Sequence, residues 1–267
     1  VIKIFPILKT QWGLEDKKCR LYYYKLRFML IKHNYFLALL LMLFISCKEK
    51  IQHDESFVIY QVNPKKQNLK LYWKNSKDEI LKSISNLKKD IESRNEKLVF
   101  AMNGGMFEAD NTPKGLYIEN SRILKPLDTL QGSGNFYLQP NGVFYITQNN
   151  QPGIAETKKF RQTAAIQYAT QSGPMLLMDG KINPIFQKDS KNLNIRNGVG
   201  ILENGEIIFI MSKREVNFYS LAQLFKEMGC KNALYLDGYV SRAYLPEKKW
   251  VQTDGDFGVM IGITEPQ

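Results

Sequence analysis

Four short stretches place polar side chains and glycine at the ends of apolar runs, where a folded chain can hold chemistry. In residues 232–243, the apolar run 233–236 follows a helix-like segment that stops at Gly229, and it ends on Asp237-Gly238. A carboxylate at the tip of a buried strand is held rigidly yet can face a cleft, and a glycine beside it admits a turn or a ligand. Asp-Gly is equally the sequence of a plain turn. Asn103-Gly104-Gly105 follows the apolar run 98–102. An Asn both donates and accepts hydrogen bonds, and paired glycines let backbone pass close to a neighbour or take positive φ, although a simple turn fits the same residues. Ser172-Gly173-Pro174 exposes a hydroxyl and a backbone N–H ahead of the run 175–177. Arg196 stands just before the run 199–201. Its planar fork suits phosphate or carboxylate, or a surface ion pair.

Composition narrows the chemistry. The two histidines, His33 and His53, lie near the N-terminus. General acids and bases in the remainder must therefore be Asp, Glu, Tyr or Lys. Ser172 has no histidine to activate it, and Gly-x-Ser-x-Gly is absent, so its hydroxyl reads as substrate-binding or structural. Cys19, Cys47 and Cys230 show no Cys-x-x-Cys spacing, which argues against a zinc or thioredoxin-type site. Nucleotide loops of the GxGxxG and GxxxxGK kinds are absent. No cofactor is expected; a divalent cation stays open because Asp and Asn oxygens are hard ligands, but no EF-hand-like spacing supports one. The net charge of +11 would suit nucleic acid. Eight Lys/Arg against two acids fall within residues 1–46, however, and the rest are scattered. Nucleic acid is therefore not an expected partner.

The elements that must position these residues are mostly short. Runs 57–62, 69–73, 98–102, 113–118, 122–124, 164–168, 175–177, 197–201, 207–212, 233–236, 243–245 and 259–263 read as strands. Asp179-Gly180 and Asn204-Gly205 read as hairpin turns, and Asn141-Gly142 as a third, joining 135–138 to 143–147. Residues 148–162 are polar and read as a loop. Two helices are expected. One opens on a capping box, Ser76 with Glu79, and carries Ile80, Ile84, Leu87 and Ile91 at helical spacing. The other covers 219–228. The expected fold class is α+β: a mixed, largely antiparallel sheet with hairpins and two or more packed helices, in one globular domain over 56–267.

The N-terminal part reads differently. Residues 35–45 form a nearly unbroken apolar run behind Lys32 and His33, closed by Ser46-Cys47. It is short for a membrane span, which needs about 20 residues, and fits a signal-peptide core. The small residue before Cys47 resembles a bacterial lipoprotein processing box. Residues 29–46 are therefore expected to be a lipoprotein signal peptide, with Cys47 lipidated and 47–55 a tether to a membrane in the cell envelope. Residues 1–28 are expected to be an over-extended start.

No single motif is specific, but their order is. Asn-Gly-Gly-x-Phe, Pro-x-Gly-Leu, Ser-Gly-Pro-x-Leu with Asp-Gly, Arg-x-Gly-x-Gly and Leu-x-Leu-Asp-Gly together resemble the phosphodiester glycosidase family over residues 98–264. The resemblance implies hydrolysis of a sugar-1-phosphodiester on a glycan or envelope substrate. It points to Asp237 and Arg196 as catalytic residues, and to Asn103, Gly104, Ser172, Gly173 and Gly238 as substrate-binding residues. Arg242 adds a second charge for phosphate. The family pattern continues Asp-Gly-Gly-Gly-Ser, whereas Tyr239 and Val240 stand here in place of two glycines. That departure keeps two alternatives open: a non-catalytic lipoprotein that binds phosphorylated glycan, and a phosphodiesterase cutting P–O.

Overall fold

A computed structural model describes residues 56–267. The expected over-extended start, signal peptide, Cys47 lipidation site and tether lie outside the described residues. Among the described residues no helix is long and apolar enough to cross a membrane.

The strands in chain order are β1 (Phe57–Val62), β2 (Asn68–Tyr72), β3 (Glu96–Asn103), β4 (Tyr117–Glu119), β5 (Arg122–Lys125) and β6 (Gly142–Thr147). They continue with β7 (Pro152–Glu156), β8 (Ile166–Ser172), β9 (Met175–Met178), β10 (Lys181–Ile182) and β11 (Asn197–Leu202). The last are β12 (Ile207–Ser212), β13 (Cys230–Tyr235), β14 (Ala243–Leu245), β15 (Trp250–Val251) and β16 (Met260–Pro266). They form three sheets, ordered β1-β12-β11-β13-β9-β10, β15-β14-β3-β16-β2 and β5-β4-β8-β6-β7. Every strand pairing among the described residues is antiparallel. One core cluster draws on all three sheets, with Phe209 and Leu234 from the first, Phe100 and Met102 from the second, and Phe144 and Tyr168 from the third.

This overturns the α+β expectation. The domain is mostly β, and only two α-helices occur among the described residues, α1 (Ile84–Glu92) and α2 (Phe218–Glu227). Each covers the outside of one sheet. Ile84, Leu87 and Ile91 of α1 pack with Leu98, Ala101 and Met260, and Leu221 and Phe225 of α2 pack with Leu177, Ile208 and Ala233. The capping box at Ser76 does not operate. Ser83 caps α1 instead, its Oγ accepting the Asn86 N–H at 3.2 Å. Residues before it turn back on β2: Lys74 bridges Ile80, and Asp78 and Lys82 take positive φ, which breaks the helical run the apolar spacing suggested.

Two hairpin turns form where Asp179-Gly180 and Asn204-Gly205 predicted them. Asp179 and Gly180 both have positive φ, as a tight hairpin turn requires. Asn141-Gly142 does not make the third. Residues 135–137 form a 3-10 turn, and Gly142 lies inside β6, where a Cβ would meet the Ala155 carbonyl at 2.9 Å. β6 turns instead into β7, within the polar stretch expected to be a loop.

Candidate active site

The ends of strands from all three sheets converge at one junction. Asn103 is the last residue of β3, Ser172 of β8 and Tyr235 of β13, and Asn197 is the first of β11. Successive backbone N–H groups after Leu234 stitch the separate motifs together. The N–H of Tyr235 donates to the Pro174 carbonyl at 3.1 Å, that of Leu236 to Asn197 at 3.2 Å, and that of Asp237 to Gly104 at 3.1 Å. The three motifs that precede Asp237 in sequence are thus its immediate neighbours in space.

Asn103 is the hub. Its Nδ2 donates to the Asp237 carbonyl, and its Oδ1 accepts from Asn197 Nδ2 at 2.9 Å and from the Arg242 N–H at 3.0 Å. A side chain with both donors and an acceptor is needed to hold three chain segments at once. The glycines beside it serve close approach. A Cβ on Gly104 would lie 2.8 Å from Val259 Cγ1, and one on Gly105 would lie 2.1 Å from Thr170 Oγ1. On Gly238 it would lie 2.0 Å from the Tyr235 hydroxyl, so the Asp-Gly step is a packing requirement. Asp237 itself is half-buried and opens a 3-10 turn, Gly238–Val240.

Arg196 is fully buried, at 0% exposure. Nε donates to the Val216 carbonyl at 2.9 Å, Nη2 to the Asn192 carbonyl and Oδ1 at 3.0 Å each, and Nη1 to the Tyr235 hydroxyl at 3.3 Å. Its guanidinium carbon stacks 3.7 Å from the centre of the Phe218 ring, at the start of α2. Tyr235 stands between the two residues expected to be catalytic. Burial pushes its hydroxyl pKa up to about 12; Arg196 opposes that shift and the Asp237 charge adds to it. Arg196 therefore reaches this junction through the Tyr235 hydroxyl, from within the core.

Two buried polar atoms at this junction have no partner: Ser172 Oγ and Asn197 Oδ1. Both residues are at 0% exposure. Gly173, between Ser172 and Pro174, is wedged so that a Cβ would lie 2.7 Å from Asn141 Cβ. The Arg242 backbone belongs to the Asn103 hub, but its guanidinium turns to Asp254, with Nε 2.9 Å from both carboxylate oxygens. Sequence reasoning assigned no role to Asn197 or Tyr235. The available signal was a polar group inside an apolar run: a buried tyrosine hydroxyl or asparagine amide needs a partner.

The three-sheet junction thus brings together a carboxylate, an asparagine pair and an unmet serine hydroxyl in a β-rich domain. The chain belongs to the phosphodiester glycosidase family, whose sequence profile matches residues 96–260. It is 38% identical over 187 residues to YigE of Escherichia coli (strain K12), itself described as uncharacterized, covering 70% of this chain and 73% of that protein. The fold is similar to that of the zebrafish N-acetylglucosamine-1-phosphodiester α-N-acetylglucosaminidase catalytic domain, auto-inhibited by its pro-peptide. That match has TM-score 0.58 and 14% identity, and covers 78% of this chain and 82% of the other. A putative exported protein of Burkholderia pseudomallei is similar at TM-score 0.51 and 11% identity, over 78% of this chain and 73% of that one.

Proposed function

We propose that this domain hydrolyses a sugar-1-phosphodiester by breaking the glycosyl C–O bond. The observation that carries this reading is the convergence of the Asn103, Pro174 and Asn197 segments on the backbone of residues 235–237, which fixes Asp237 among polar groups at a sheet junction. A phosphate leaves with the bonding electrons and needs little help from a general acid. The main demand is on the anomeric carbon, which becomes cationic in the transition state and is met by a carboxylate, as in other glycosidases. Asp237 fills that role. Ser172 Oγ, which donates and accepts, is a buried atom that a substrate hydroxyl or phosphate oxygen would satisfy, and Asn197 Oδ1, an acceptor, is one that a substrate hydroxyl would satisfy.

The burial of Arg196 favours a positioning role for it. Its hydrogen bonds run to protein groups, and it acts on the site by holding the Tyr235 hydroxyl against Gly238. Arg242, 38% exposed at its side chain and shared with Asp254, is the arginine better placed to meet a phosphate.

Hydrolysis in ¹⁸O-water tests the reading: label in the released sugar accompanies C–O cleavage. Label in the phosphate would establish P–O cleavage and overturn it. Binding of a sugar-1-phosphodiester without release of reducing sugar would favour the binding-module alternative, which Tyr239 and Val240 in place of glycines motivate. The proposed location is the cell envelope, with the domain lipid-anchored through Cys47.

A further inference from the structure

Two cavities adjoin along the outer edge of β2, and their walls contain none of the residues gathered around Asp237. One measures about 290 Å³ and the other about 210 Å³, and they share Lys70 and Tyr168. Five cations line them: Lys65, Lys66, Lys70, Lys74 and Arg94. A single acid, Glu119, stands against these five, and its carboxylate already accepts the Tyr117 hydroxyl at 2.7 Å. Lys74 pairs with Asp78 and Arg94 with Asp90. Both are i,i+4 pairs with one well-exposed member, Asp78 and Arg94 respectively, of the kind that contribute little. Lys65, Lys66 and Lys70 have no ion pair with a described residue.

The rest of the lining is rich in amides, among them Asn68, Asn120 and Gln167. Amides donate and accept at once, which suits sugar hydroxyls. Among the described residues β2 pairs with β16 alone and forms the edge of its sheet beside the wall. The lining does not suit nucleic acid. Its aromatic residues are Tyr72 and Tyr168, each at 4% exposure, so neither offers a face on which a base could stack.

We propose that this cleft is a second binding site, for an anionic glycan chain that carries phosphate groups. The choice of phosphate over other anions rests on the glycosidase reading; the charge and amide lining of the cleft do not. A polymer held here would be kept near the domain while individual phosphodiester links are presented to Asp237.

The test uses the full chain and phosphomannan as the probe, with dephosphorylated mannan and single-stranded DNA of matched charge as comparisons. Binding is measured in an Asp237→Asn background so that the polymer is not consumed. Replacing Lys65, Lys66 and Lys70 by Gln is expected to weaken phosphomannan binding about tenfold or more at low salt, since screened charges supply the attraction. In the active background the same triple variant hydrolyses a short sugar-1-phosphodiester at the wild-type rate. The exposed pair alone, Lys65→Gln with Lys66→Gln, gives a smaller loss in the same direction, which separates lost charge from misfolding. Unchanged phosphomannan affinity in the triple variant overturns the proposal. Equally tight binding of neutral mannan or of DNA overturns it too. If Asp237→Asn leaves hydrolysis intact, the glycosidase reading fails while the binding comparison still decides the cleft.

Discussion

Asp237 carries the sharpest prediction at the scale of single residues. Asp237→Asn keeps the size while removing the charge and turning one acceptor oxygen into a donor. Loss of a well-aligned electrostatic group costs about 10²–10³ in kcat. Steady-state turnover of a sugar-1-phosphodiester should fall by at least that, with an unchanged thermal midpoint. Gly238 is constrained by shape. Its missing Cβ would stand 2.0 Å from the Tyr235 hydroxyl, and Tyr235 is buried at 1% exposure with no room to withdraw. Gly238→Ala should destabilise the domain by about 1–3 kcal/mol, typical of overpacking, and calorimetry would show it as a lower midpoint. Ser172→Ala is the contrasting case. Its Oγ is buried without a partner, so removing it should leave stability equal or higher while raising KM if that hydroxyl serves substrate.

Elements matter because the site is made of strand ends. β3, β11 and β13 each contribute one terminal polar residue, and Asn103 binds the three ends together. Asn103→Ala would leave the Arg242 N–H without its acceptor and the Asp237 carbonyl without its donor, at a cost of about 1–3 kcal/mol per buried group. Stability and kcat should fall together, unlike the Asp237→Asn result. Helix α2 enters the site indirectly: Phe218 at its start stacks on Arg196, and Arg196 donates to the Tyr235 hydroxyl. If Arg196 acts through that hydroxyl, the kcat losses of Arg196→Met and Tyr235→Phe are not additive. A double-mutant cycle should show coupling well beyond the roughly 0.3–0.5 kcal/mol expected of independent sites. Additive losses would exclude the Tyr235 hydroxyl as the route by which Arg196 acts.

The whole molecule responds to pH through its buried tyrosines. Burial pushes the hydroxyl pKa values of Tyr235 and Tyr168 up to about 12, above the ordinary tyrosine value of about 10. The unfolded chain therefore loses these protons first as pH rises. Their contribution to stability is fully present below pH 10 and is lost as pH climbs from there through 12. The slope between those values is about 1.4 kcal/mol per pH unit for each such group. Denaturant titrations at pH 9 and 11 should show the decline, and Tyr235→Phe should make it shallower. Attachment to a membrane is also a property of the whole chain. If Cys47 carries the lipid, Cys47→Ala moves the protein from the membrane fraction to the soluble fraction, whereas an uncleaved signal anchor would keep it in the membrane.

The local chemistry was legible in the sequence. Asp179-Gly180 and Asn204-Gly205 form the turns their residue types demand, because positive φ is a property of a few residues. The ordered Asn-Gly-Gly, Ser-Gly-Pro and Asp-Gly motifs led to the family, because each names a backbone that must pass close to another. Tertiary structure alone decided three other matters. It moved the start of α1 to Ser83, since Ile80 finds a strand partner in Lys74 that outweighs its helical spacing. It gave β6 its partner in β7, since Gly142 has to pack against neighbours distant in sequence. It placed Arg196 under Tyr235, since a guanidinium has the same chemistry in a cleft as in a core and only the surrounding chain determines which it occupies.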